Sequence, residues 1–228
     1  MSSLTAFERY ASAVGRVTAK CIDAAADSII DGTEPDRVVD TAASLLHGFR
    51  EIESTLKTLS LIEAMIGVAA PRSRAVPKHE YLKFLIGAYF QEVYILEQRL
   101  TSYATKIQRA YRFDATTILK SVKETFSGIV RFRGEHVHSK RYADDRIDIL
   151  QGITFVESVI EGLHVTAELE YKNVRNEWLK FVKGSNAATR AFLQDFFEYL
   201  LTRIAKDGVL ILPRTGKGQH GCAIPLDA

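Results

Sequence analysis

"LKFLIGAYFQEVYILEQRLTSY", Leu82 to Tyr103, places apolar or aromatic side chains at Leu82, Leu85, Tyr89, Val93, Leu96, Leu100 and Tyr103. Every step is three or four residues, the spacing of one helix face and not the alternation of a half-buried strand. The same step recurs on either side. Leu4, Phe7, Ala11, Val14, Val17, Cys21 and Ala25 form one stripe, and Val38, Ala42, Leu45, Phe49, Ile52, Leu56 and Leu59 form another. These two helices are expected to pair antiparallel through "IDGTEPD", where Gly32 ends one and Pro35 opens the next. "APRSRAVPK" then reads as a linker.

Downstream, the long helix ends near Phe113, and Asp114 is placed to cap a helix carrying Ile118, Val122, Phe126 and Ile129. Asp144 or Asp145 caps another, with Ile149, Ile153, Val156, Ile160 and Leu163 facing inward, which runs on through Trp178 or breaks near His164. A final helix spans about Ala187 to Lys206, and the β-like run Val209 to Leu212 packs back on the body. No hairpin dipeptide sits between alternating runs and no internal repeat is evident. The fold expected is all-α, a helical bundle. Its divisions are an N-terminal helical hairpin over 1–70, a bundle over 78–206 and a tail over 207–228.

The chain has 228 residues, 46% hydrophobic and 25% charged, enough to bury a sizeable core. Two distant cysteines, Cys21 and Cys222, argue against a disulfide scaffold or zinc ribbon and fit a reducing cytosol. The N-terminus shows no secretory leader, and the most apolar window, Leu59 to Ala70, is too short to span a bilayer. A cytoplasmic protein without a membrane partner is therefore expected. The net charge of +2 is unevenly spread: Arg99 to Arg146 holds eleven Lys/Arg against five Asp/Glu, leaving about −4 for the remainder.

That basic region centres on "IVRFRGEHVHSKRYADD", Ile129 to Asp145. On a regular helix Arg131, Glu135, His138 and Tyr142 share one stripe, and Arg133, His136 and Lys140 the next. Gly134 weakens the helix by roughly 1 kcal/mol relative to Ala, so a bend or stop is expected there. An imidazole titrates near neutral pH and exchanges protons with a hydroxyl or a leaving alkoxide, while a guanidinium stays charged and forks onto phosphate oxygens. Histidine and arginine in a basic groove therefore suit metal-free RNA cleavage, in which the 2′-hydroxyl is the nucleophile. The competing reading is a helix end rich in hydrogen-bond donors. His-Val-His with His79 and Glu80 makes no metal-ligand spacing, so neither metal nor cofactor is expected.

At these residues the sequence resembles the HEPN superfamily of helical-bundle proteins, many of them ribonucleases in toxin, antiphage and RNA-processing systems. Their signature is an arginine followed after four to six residues by a histidine, between the second and third long helices. Arg133 to His138, Arg131 to His136 and Arg131 to His138 all fit it. Gly134, or Phe132 in the other register, stands where many active members carry Asn or Asp after the arginine, and Lys140 where one toxin variant carries tyrosine. The resemblance covers roughly Lys78 to Lys206, and makes the first seventy residues an additional helical pair on a four-helix core. It implies a homodimer whose motifs meet at one cleft, with His138 transferring protons and Arg133 clamping phosphate. Arg131 and His136 assist, and Glu135 and Tyr142 orient them. The function implied is a metal-independent endoribonuclease in antiviral defence or a toxin–antitoxin system, with an antitoxin or regulatory partner protein. The alternative is a non-catalytic helical dimerisation or nucleotide- or RNA-binding module.

"QRLTSYATKIQRAYR", Gln98 to Arg112, interleaves basic residues with Tyr103 and Tyr111, a pattern able to clamp and stack single-stranded RNA. Arg109, Arg112, Lys140 and Arg141 are the expected RNA-binding residues. "RTGKGQHG" lacks P-loop spacing and reads as tail. His47 and His164 read as packing histidines.

Overall fold

The computed structural model describes residues 4–30, 37–68, 76–138, 145–157, 164–206, 209–213 and 222–223. Among them the chain is an all-α bundle of α1 (Ala6–Ile30), α2 (Arg37–Gly67), α3 (Lys78–Tyr111), α4 (Thr116–His138), α5 (Asp145–Glu157) and α6 (His164–Ile204). Three short strands follow: β1 (Ala205–Lys206), β2 (Val209–Leu212) and β3 (Cys222–Ala223). β2 pairs antiparallel with both of the others. The expected connection at 31–36, most of the 70–78 linker and the glycine-rich tail lie outside the described residues.

Two compact units can be distinguished, one of residues 1–54, 98–123 and 189–228, the other of 55–97 and 124–188. In the first, Thr5 and Glu8 start α1 as a reciprocal cap: the Glu8 N–H donates to Thr5 Oγ1 at 3.3 Å and the Thr5 N–H to Glu8 Oε2 at 2.9 Å. The stripe of α1 buries Val14, Val17 and Cys21, although Leu4 at its head is 60% exposed. Phe7, Tyr10, Phe49 and Phe197 form one aromatic cluster, with centroids 4.7 to 5.9 Å apart. Such pairs add about 0.5–1.5 kcal/mol each to the burial of their area. Within the cluster Tyr103 Oη donates to the Leu45 carbonyl at 3.1 Å, so the 2.8 Å bond between Tyr10 and Tyr103 has Tyr10 as donor. The expected strand is present, with Leu210 and Leu212 buried and β2 against α1.

The second unit is built on the N-terminal part of α3, whose Leu82, Leu85, Tyr89, Val93 and Leu96 are all buried as the stripe predicts. Its core is completed by Leu59, Ile62 and Ile66 of α2, Phe126 of α4, Ile147 and Leu150 of α5, and Val174 and Val182 of α6. Tyr89 Oη donates to Asn186 Oδ1 at 3.1 Å and Asn186 Nδ2 donates to Glu63 Oε2 at 2.7 Å, so these polar groups are satisfied inside the packing.

Two expectations are corrected. α5 buries Ile147 and Leu150, while Ile149 and Val156, expected inward, are 56% and 41% exposed. This helix is apolar on both sides, so periodicity does not choose the face. The final helix does not begin near Ala187, because α6 runs unbroken from His164. Its buried stripe passes through Asn186 and Thr189, polar residues that interrupt the apolar pattern without interrupting the helix, and no proline intervenes.

Candidate functional site

α4 carries the arginine–histidine segment. At its start Asp114 Oδ1 accepts the Thr116 N–H at 2.9 Å and the Thr116 hydroxyl at 2.6 Å, so the expected cap is present. These two bonds, with Arg203 adding, hold the Asp114 carboxyl below its usual range. Ahead of it Arg112 closes α3 in the left-handed region, φ 55°, its N–H bonded to the Gln108 carbonyl at 2.7 Å.

At the other end α4 does not stop at Gly134 but continues through it to His138. The flanking Arg131, Arg133 and Glu135 are good helix formers, which offsets the roughly 1 kcal/mol glycine penalty. An unbroken helix fixes the register of the backbone. Arg131, Glu135 and His138, at steps of four and three, fall on one stripe. Arg133 and His138, like Arg131 and His136, are five apart and so about 140° round the axis. Of the three registers, only Arg131 to His138 places both residues on the same stripe. Arg131 is exposed. The side chains of Arg133, Glu135, His136 and His138, and all of Lys140, Arg141 and Tyr142, lie outside the described residues.

Beside this segment α3, α4, α5 and α6 enclose a groove of about 470 Å³. Phe90 of α3 with Trp178 and Phe181 of α6 make its aromatic wall, and Thr125, Gly128 and Ile129 the α4 side. The rings pack edge to face or tilted: Phe90 to Trp178 5.9 Å at 84°, Trp178 to Phe181 5.5 Å at 80°, Phe90 to Phe181 6.2 Å at 55°. Arg146 of α5 and Glu177 of α6 also line it and form an ion pair, with side chains 56% and 58% exposed. An exposed pair of this kind is worth about 0–1 kcal/mol. Sequence reasoning missed the groove because four separate helices supply it. The only signal was the single tryptophan three residues before a phenylalanine.

At the start of α3, Lys78 pairs with Glu168 and stands 5.7 Å from the centre of the Tyr171 ring. His79 is buried, with Nε2 3.7 Å from Glu80 Oε1 and Nδ1 without a hydrogen-bond partner among the described residues. Burial holds its pKa below the usual histidine range; Glu80 opposes this and Lys83 adds to it. Among the described residues no three His, Cys, Asp or Glu side chains are grouped to hold a metal ion.

Of the expected RNA-binding residues, Arg109 and Arg112 are exposed. Neither tyrosine of the same segment is exposed. Tyr103 is 2% exposed, and the Tyr111 hydroxyl is buried without a hydrogen-bond partner among the described residues. Arg99 binds the Glu51 carboxylate at 2.5 Å and the Glu51 carbonyl at 2.8 Å. His47, expected in the core, is exposed; its position on α2 falls outside the buried stripe of Leu45, Phe49 and Ile52. The His164 side chain lies outside the described residues. No helix among the described residues is long and apolar enough to cross a membrane. Comparison with protein-family models, curated proteins and solved structures gave no match to this chain.

Proposed function

We propose that the chain is a metal-independent endoribonuclease of the HEPN type, acting as a homodimer on RNA. The observation that supports this best is the unbroken course of α4, which gives Arg131, Glu135 and His138 one common stripe on a helix that also contributes to the groove. In this reading His138 takes the proton of a 2′-hydroxyl or returns one to the departing 5′-oxygen. The 2′-oxygen bonds to phosphorus as the P–O5′ bond breaks, leaving a 2′,3′-cyclic phosphate and a 5′-hydroxyl. A guanidinium meets the charge that builds on the phosphoryl oxygens, where a preorganised donor is worth about 3–4 kcal/mol. The helix register favours Arg131 over Arg133 for that role, with Glu135 orienting and Arg133 and His136 assisting.

The test is incubation of the protein with total RNA in EDTA, with fragment ends read for cyclic phosphate. The parent is expected to cleave and His138→Ala to be silent while keeping its helical content, with Arg131→Ala slower than Arg133→Ala. Cleavage by His138→Ala at the parent rate would remove His138 from the mechanism. A second reading, a non-catalytic RNA- or nucleotide-binding module, is favoured by the aromatic groove, and RNA retention without any cleavage selects it.

A further inference from the structure

We propose that the groove between α4 and α6 binds an unpaired nucleobase together with its phosphate, a mononucleotide unit of single-stranded RNA. The proposal rests on the reading of the chain as an RNA-binding protein and gives that activity a substrate subsite. A volume of about 470 Å³ lies within the range of small-molecule sites, about 300–1,000 Å³. Trp178 and Phe90, 7% and 4% exposed, form a floor, and Phe181 stands over it at 45% exposure. Proteins read splayed-out bases by stacking them on such rings.

Charge selects among apolar ligands. The Arg146 guanidinium sits at the groove and is the basic side chain that lines it among the described residues. Glu177 is the only lining carboxylate among the described residues. With the Arg146 guanidinium at the edge of the aromatic wall, the groove suits a planar ligand with an anionic end. The exposed Arg146–Glu177 pair can share its guanidinium with a phosphate while Glu177 accepts an N–H from the base.

Gly128 lines the α4 side of the groove. It lies inside α4, where helix propensity favours any other residue but proline, and a Cβ there would meet nothing within 4 Å.

Trp178 is the one tryptophan in the chain, so its emission reports on this groove alone. Titration of the full chain with AMP and CMP is expected to change that emission saturably, with ribose 5-phosphate and inorganic phosphate at least tenfold weaker. Phe181→Ala and Gly128→Leu, the second filling the groove from a position with free space, are each expected to weaken the nucleotides tenfold or more at parental helical content. No saturable change with nucleotide, equal response to ribose 5-phosphate, or parental affinity in Gly128→Leu would each overturn the proposal. RNA cleavage by the parent without an emission change removes the groove and leaves the nuclease standing. Nucleotide binding without cleavage removes the nuclease and leaves the groove.

Discussion

Gly48→Ala is expected to destabilise the protein although helix propensity alone says the opposite. Alanine in a helix interior is favoured over glycine by about 1 kcal/mol. At position 48, however, a Cβ would lie 2.7 Å from Tyr103 Cε2 and closer still to Cδ2, inside any tolerated contact. The ring has no easy retreat. It is 2% exposed, its hydroxyl is held by the Leu45 carbonyl at 3.1 Å and by Tyr10 at 2.8 Å, and its edge packs against the Tyr10 ring 6.3 Å away. Overpacking of this kind costs about 1–3 kcal/mol, so the net loss is about 1 kcal/mol after the propensity gain. In a chain of this size that lowers Tm by about 2–4 °C. Gly87→Ala and Gly184→Ala are the controls, since a Cβ at either meets nothing within 4 Å. Both are expected to gain up to about 1 kcal/mol. Thermal melts by far-UV circular dichroism decide the matter: a Gly48→Ala protein melting at or above the parent, alongside its controls, would refute the packing argument.

The Tyr10–Tyr103–Leu45 chain of hydrogen bonds predicts a non-additive double mutant. Tyr103→Phe strands the Tyr10 hydroxyl in a buried site and is expected to cost about 1–3 kcal/mol, whereas Tyr10→Phe leaves Tyr103 bonded to Leu45 and costs about 1 kcal/mol. With both hydroxyls gone the loss should be smaller than the sum of the two, as read from urea unfolding midpoints; strict additivity would count against the coupling. Alkaline pH supplies another test. Burial raises the phenol pKa values of Tyr10, Tyr103 and Tyr111, and that of Tyr89 to about 12. Unfolded tyrosine ionises near pH 10, so between about pH 10 and 12 the unfolded chain binds fewer protons than the folded one, and stability falls by about 1.4 kcal/mol per pH unit for each such group. The contribution is fully present below about pH 10. Unfolding midpoints that stay level as tyrosinate absorbance rises would contradict the burial of these phenols.

The sequence by itself determined the helices wherever one face is apolar and the other is not. The α3 stripe from Leu82 to Tyr103 is buried at all seven positions, and Asp114 caps α4 as its side-chain chemistry requires. These are local properties, set by a period of 3.6 and by a carboxylate within reach of an N–H. The sequence also exposed the Arg/His segment as a chemical oddity, and its placement on α4 follows from the helical backbone. Only the tertiary structure decided which side of the doubly apolar α5 turns inward, that α6 continues past Asn186 and Thr189, and that Tyr103 belongs to a core and not to an RNA-stacking surface. It alone assembled the groove, because Phe90, Gly128, Arg146 and Trp178 come from four helices and meet only when those helices pack. Periodicity reports that a face will be buried; what it is buried against is a property of the packed bundle.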